Sequence, residues 1–168
     1  MIGHAIFYKS SELRLDSHGL QNISPQDKWG QRSVEWAQLT HYKSGRKIDF
    51  FNTHWCVCGS GQLLQSAKET LGIINSKRRS GSTVILTGDL NVFPGFENSE
   101  AVKYLKQNGL EDTFRKVNGG ANGSTFGAAG KIDYIFASSG TSVRSANIDK
   151  RFNGKASDHY AINAVINV

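Results

Sequence analysis

The spacing of apolar residues changes several times along the chain, and each change marks an element. Residues 5–9 and 13–15 read as short strands, and residues 34–42 predict a longer one. After Lys43-Ser44-Gly45-Arg46 a further strand runs over residues 47–55, so the pair predicts a hairpin with Gly45 supplying the turn. Over residues 62–77 the period lengthens: Leu63, Ala67, Leu71 and Ile74 form the single apolar stripe of an amphipathic helix. Ser80-Gly81-Ser82 ends it, and the almost wholly apolar residues 83–87 predict a buried strand. A second helix is expected from about Asn98 to Gln107, with Ala101, Val102 and Leu105 inward and Asn108-Gly109 at its end. A glycine-rich loop covers residues 118–130, and strands follow at 131–137, around 143–148 and at 160–168. With no internal repeat or linker, residues 1–168 are expected to form one α/β domain built around sheets packed on each other.

Composition adds limits. The chain has 168 residues, 38% of them hydrophobic and 20% charged, which suits a folded protein rather than a disordered one. No stretch approaches the roughly 20 apolar residues of a membrane helix. The opening Met1-Ile2-Gly3-His4-Ala5 lacks a basic segment followed by an apolar run, so a soluble chain without a signal peptide is expected, its compartment open. The net charge of +6 favours anionic partners: nucleic acid, sugar phosphates or lipid head groups. The dense run Lys77-Arg78-Arg79 falls where a helix ends, and the helix dipole accounts for it. Cys56 and Cys58 are too few for a disulfide framework or a zinc site, and they read as thiols near a strand end.

Polar residues then fall at revealing places. Side chains alternate along a strand, so Ile48, Phe50, Asn52 and His54 share one face, apolar first and polar last. Ile85, Thr87, Asp89 and Asn91 repeat that order. Asp133 interrupts the apolar run 132–136, and Asp158-His159 precedes the final strand. Carboxylates and imidazoles at several strand ends predict one polar site on the rim of a sheet sandwich. Carboxylates there suit a hard cation such as magnesium, and histidine beside carboxylate suits proton transfer. The glycines of the 118–130 loop match neither the P-loop nor the dinucleotide pattern. Each feature alone has a plainer reading: a surface ion pair, a turn after a strand, an edge-guarding charge. Together they would require four coincidences at strand ends.

In order along the chain, Asn52-Thr53-His54, Gly88-Asp89-Leu90-Asn91, Ile132-Asp133-Tyr134-Ile135 and Ser157-Asp158-His159-Tyr160 resemble the endonuclease/exonuclease/phosphatase (DNase I-like) superfamily. Arg32-Ser33-Val34-Glu35-Trp36-Ala37 upstream is similar to that family as well. The resemblance implies a four-layer α/β sandwich that hydrolyses phosphate esters with Mg2+ or Mn2+. It implies that Asp89 activates water and binds the metal, with Asp158 at the metal or its water shell. Asn91 would bind a phosphate oxygen, and His159, oriented by Asp133, would contact the scissile phosphate. His54 would act from the other side as an acid or charge stabiliser, while Asn52 and Trp55 would contribute to substrate binding.

The chain departs from the pattern at its start. The family begins with a strand bearing asparagine and another bearing a metal-binding glutamate, and neither is found before the matched strands. Glu12 and Glu35 are the only glutamates before His54, and neither stands in the family's context. The expectation is a DNase I-like sandwich lacking its first strands, with impaired catalysis and a sheet edge open to self-association. The competing readings are a non-catalytic relative binding anionic ligands, and a basic nucleic-acid-binding module.

Overall fold

The computed structural model describes residues 4–92, 99–151 and 156–168. Its first hairpin is longer than the apolar pattern predicts: β1 (Leu13–Asp27) pairs with β2 (Gly30–His41) along most of its length. The sequence signal fades after Leu15 because the next residues turned towards the protein are Ser17 and Gly19. Gly19 lies opposite Trp36, whose indole fills the space a side chain would take. Residues 5–9, expected as a strand, form no strand and lead into a turn closed by the Leu13 amide on the Lys9 carbonyl.

β2 continues antiparallel to β3 (Lys47–His54), as the hairpin reading requires. The helix α1 (Ser60–Lys77) then carries the chain to β4 (Thr83–Asp89), parallel to β3. The second helix, α2, spans Glu100–Gln107 with Ser99 as its cap, whereas Asn98 lies outside the described residues. Two short elements follow, β5 (Leu110–Asp112) and α3 (Thr113–Asn118), both too brief to show a period. The Asp112 carboxylate caps α3 and also holds the buried Lys131 amine at 2.8 Å. The chain closes with β6 (Asp133–Ser138), β7 (Ser142–Asp149) and β8 (Ala161–Asn167).

The strands form a six-stranded sheet in the order β1-β2-β3-β4-β6-β5, and an antiparallel pair β7-β8. Alternation places Phe51, Val84, Leu86 and Phe136 on the side of the large sheet covered by α1 and α2. There they meet Leu63, Ala67, Leu71 and Ile74, the predicted stripe of α1. On the other face Ala37, Leu39 and Ile48 gather with Phe50 and Ile85, and Val168 packs on them from just beyond β8. This is the expected α/β class. No described helix is long and apolar enough to cross a membrane.

Two expectations are corrected. Arg79 is more than a solvated helix-end charge: its backbone amide and Nε bind Asp49, Nη1 binds Asp16, and Nη2 donates to the Leu39 and Ile48 carbonyls. Asp49 is fully buried, so this arginine compensates a carboxylate that water cannot reach. Cys56 and Cys58 are joined in a disulfide, the backbone between them placing their Cα atoms 5.3 Å apart, within the range such a bond spans.

Candidate active site

Strand pairing assembles the site. In the β3-β4 register His54 lies opposite Asp89, and in the β4-β6 register Asp89 lies opposite Asp133. Three polar side chains therefore stand side by side across neighbouring strand ends. His159, just before β8, completes the group: its Nδ1 is 2.9 Å from Asp133 Oδ2 and its Nε2 is 3.9 Å from Asp89 Oδ2. His54 Nε2 approaches the same Asp89 oxygen at 3.3 Å.

Backbone contacts fix these strand ends. The Trp55 amide donates to the Asp89 carbonyl, and the Leu90 amide to the Ile132 carbonyl. Asn91 adopts φ 48°, a left-handed conformation that asparagine tolerates better than most residues. Its amide nitrogen donates to Asp89 Oδ1, while its side chain donates to the Trp55 carbonyl. In the 118–130 loop the buried Thr125 hydroxyl accepts from the Ile132 and Asp133 amides, and its carbonyl accepts from the Tyr160 amide. That loop is thus tied to both Asp133 and the approach to His159.

Gly88 matters for the same architecture. A Cβ added there would lie 2.1 Å from the Thr53 carbonyl oxygen, in the strand pair that precedes His54 and Asp89. Gly88→Ala should therefore cost about 1–3 kcal/mol by forcing β3 and β4 apart. Chemical denaturation reads this directly, and an unchanged midpoint would refute it.

Burial shapes the titration. The Asp89 carboxyl is pushed up to about 6, first by burial and then by the neighbouring charge of Asp133. Burial alone would lower the His159 ring, but its hydrogen bond to Asp133 and the surrounding carboxylate charges prevail, so its net shift is upward. His54 is driven down to about 4 by burial, then by the charges of Arg32, His4 and His159. Its imidazole is therefore neutral near neutral pH, which suits a hydrogen-bonding role better than that of a cationic charge stabiliser.

His54, Asp89, Asn91, Asp158 and His159 line a cavity of about 430 Å3. Asp158 is exposed on its wall and stands outside the Asp89, Asp133 and His159 group, whose ligand atoms lie within 4.8 Å of one another. Asn52 is two residues back from His54, accepts a hydrogen bond from the Thr87 hydroxyl at 2.8 Å, and does not line this cavity. Trp55 is corrected from a substrate contact to a core residue. It is completely buried, with its indole N–H donating to Thr70 of α1. Glu12 is paired with Lys9 at the surface, while Glu35 faces an adjoining hollow of about 570 Å3 that it shares with His4, His18 and Trp36. That larger hollow does not contain the Asp89, Asp133 and His159 group, so the smaller cavity is the candidate site.

Sequence reasoning missed Arg32. It lies on the inward face of β2, two residues before the buried Val34, and is itself 2% exposed. Nη2 donates to Asp27 Oδ2 at 2.7 Å, whereas the buried Nε and Nη1 have no hydrogen-bond partner among the described residues. An arginine at a strand position that alternation turns inward was the available signal. Arg32 lines the cavity beside His54 and Asp89, with its spare Nε and Nη1 closed off from solvent.

No protein-family model and no curated protein matches the chain. Solved structures do. An endonuclease/exonuclease/phosphatase from Bacteroides vulgatus superposes with a TM-score of 0.79 at 22% identity, covering 96% of this chain and 68% of its own. Mannosyl-6-phosphatase from Bacteroides thetaiotaomicron gives 0.72 at 20% identity, with coverages of 96% and 69%. The human Nocturnin catalytic domain, with a bound sulfate anion, gives 0.69 at 18% identity, with coverages of 92% and 61%. The chain thus spans roughly two thirds of the length of these proteins. These superpositions identify the fold as that of the endonuclease/exonuclease/phosphatase proteins.

Proposed function

We propose that the chain hydrolyses phosphate esters at the Asp89–Asp133–His159 cluster. The observation that carries this reading is His159 held on Nδ1 by Asp133, with Nε2 directed towards Asp89, in a cavity whose lining includes the buried Arg32. A buried cationic fork suits a phosphate, and a carboxylate–histidine pair suits moving the protons of a hydrolysis.

The fold family implies a divalent cation, and the residues fit one. Asp89 and Asp133 crowd two carboxylates together, and burial followed by the charge of Asp133 penalises the ionised form of Asp89, a penalty that a cation would relieve. Asp89 would hold the ion, with exposed Asp158 reaching it through water; oxygen donors of this kind suit Mg2+ or Mn2+. When bound, the ion supplies positive charge to the phosphate oxygens and makes a bound water more acidic. The protein groups do the rest. Ionised Asp89 accepts a proton from the attacking water, and His159, oriented by Asp133, donates through Nε2 to a phosphate oxygen. Neutral His54 and Asn91 offer further donors, and Arg32 neutralises charge that grows in the transition state.

The test is hydrolysis of bis-p-nitrophenyl phosphate, a phosphomonoester, DNA and RNA, each with Mg2+, with Mn2+ and with chelator. Metal-dependent turnover of at least one ester that is lost in His159→Ala is expected. A folded chain that binds inorganic phosphate but turns nothing over would instead support the non-catalytic, anion-binding reading. Neither turnover nor phosphate binding would sink both.

A further inference from the structure

Cys56 and Cys58 are joined two residues apart, just after His54 and just before α1. A cross-link closing so short a loop adds little to the stability of a whole fold, because that gain grows with loop length. What it constrains is local. Cys56 is fully buried and follows Trp55, whose amide donates to the Asp89 carbonyl and whose carbonyl accepts from the Asn91 side chain. Cys58 is half-buried and leads into the Gly59 cap of α1. Val57, held between them, is 53% exposed on the rim of the candidate site's cavity.

The pinned residue has a partner. The Val57 amide donates to Asp27 Oδ2 at 2.8 Å, the same oxygen that accepts Arg32 Nη2 at 2.7 Å, while Oδ1 accepts the Trp29 amide. Lys28, Trp29 and Val57 stand on the cavity's rim and buried Arg32 at its floor, so one carboxylate frames both. The disulfide thus fixes one of the donors that hold this carboxylate. Its two sulfurs are not equivalent. Cys56 is closed off from solvent, whereas Cys58 keeps some exposure at the start of α1, whose first turn carries no acidic side chain. A helix N-terminus favours a thiolate, which makes Cys58 the attacking sulfur when the bond re-forms.

We propose that Cys56–Cys58 is a thiol–disulfide exchange site for a dithiol reductant, and that its reduction loosens the rim of the candidate site. A thiolate of the dithiol attacks Cys58 Sγ, the S–S bond breaks, and Cys56 leaves as a thiolate that takes up a proton. The second thiol then displaces Cys58 and closes the reductant's own disulfide, so that two electrons and two protons pass to the protein. Freed of the link, the backbone at 56–58 gains conformations in which the Val57 amide leaves Asp27. The exchange itself is independent of the phosphoesterase reading; only its effect on turnover rests on that reading.

The full chain is compared air-oxidised, reduced with excess dithiothreitol, and as Cys58→Ser. Thiol titration should find no free thiol in the first sample and both cysteines free in the second. Exchange of the Val57 amide proton should speed up about tenfold or more on reduction and in Cys58→Ser, while Phe51, buried inside the large sheet, keeps its protection. Ester turnover should fall about tenfold on reduction, return on reoxidation with oxidised glutathione, and ignore the reductant in Cys58→Ser. Free thiols in the oxidised chain, an unchanged Val57 amide, loss of protection at Phe51 as well, or turnover indifferent to reduction would each overturn the proposal. Turnover absent from every sample sinks the phosphoesterase reading instead, and the thiol count and the Val57 amide then decide the exchange site.

Discussion

Replacing Arg79 by alanine should destabilise the chain by about 3–5 kcal/mol, because it leaves a buried charge without its partner. The carboxylate in question is Asp49, which is fully buried and held by the Arg79 amide, Arg79 Nε and the Ser82 hydroxyl. The same guanidinium joins Asp16 of β1 to the carbonyls of Leu39 and Ile48, so its removal loosens β1, β2 and β3 at once. Arg79→Lys should rescue only part of the loss, since an ammonium cannot reproduce the planar fork. The neighbouring, exposed Arg78 is the control, and its alanine variant should stay within about 0.5 kcal/mol of the unaltered chain. Urea denaturation of the three variants reads the comparison, and equal midpoints for Arg78→Ala and Arg79→Ala would refute the clamp. The cluster also sets an acid limit. The Thr40 hydroxyl, followed by Arg14 and Arg79, holds the Asp16 carboxyl down at about 2 against the opposing effect of burial, from an ordinary 3.8. A carboxylate whose folded pKa is depressed contributes stability above its unfolded value and loses it as pH falls through the folded one. The contribution is therefore complete above pH 3.8 and drains away towards pH 2.

The second large effect concerns turnover. His159→Ala should lower phosphate-ester hydrolysis by about 10²–10⁴-fold, the usual contribution of a positioned acid–base group. Asp133→Asn should lower it less, because the imidazole remains and loses mainly its orienting hydrogen bond. The double variant should be no worse than His159→Ala alone, since residues acting as a unit are not additive. Steady-state rates on one ester under saturating metal give all three values. Independent, multiplying losses would mean that Asp133 acts on the reaction by some route other than His159. Unaltered thermal melting in each variant separates these effects from unfolding.

The parts of this molecule legible in its sequence are those where one period dominates. The α1 stripe stands where spacing predicts it because a single face is buried, and the apolar run of β4 because apolar neighbours meet it on both faces. Strand alternation also brings Asp89 and Asp133 together, since polar residues ending apolar strands share a rim once the strands pair. What failed to show is tertiary. β1 continues over Ser17 and Gly19 because Trp36 of the next strand supplies the missing side-chain volume. Trp55 follows His54 in the chain, yet alternation sends it to the opposite side of the rim, into the α1 interface. Arg32 and Arg79 are spelled like surface charges and become clamps only when folding brings the carboxylates Asp27 and Asp49 to them. No local pattern encodes such a partner.

Asp27 has a consequence for how this site can change. Its contacts to the rim go to the amide nitrogens of Trp29 and Val57, which every residue except proline provides. Its contact to the floor goes to a particular side chain, Arg32. The side chains at 28, 29 and 57 are therefore free to be exchanged without disturbing the arginine, and the arginine is not. A descendant of this chain could remake its rim alone while keeping the same arginine at the floor.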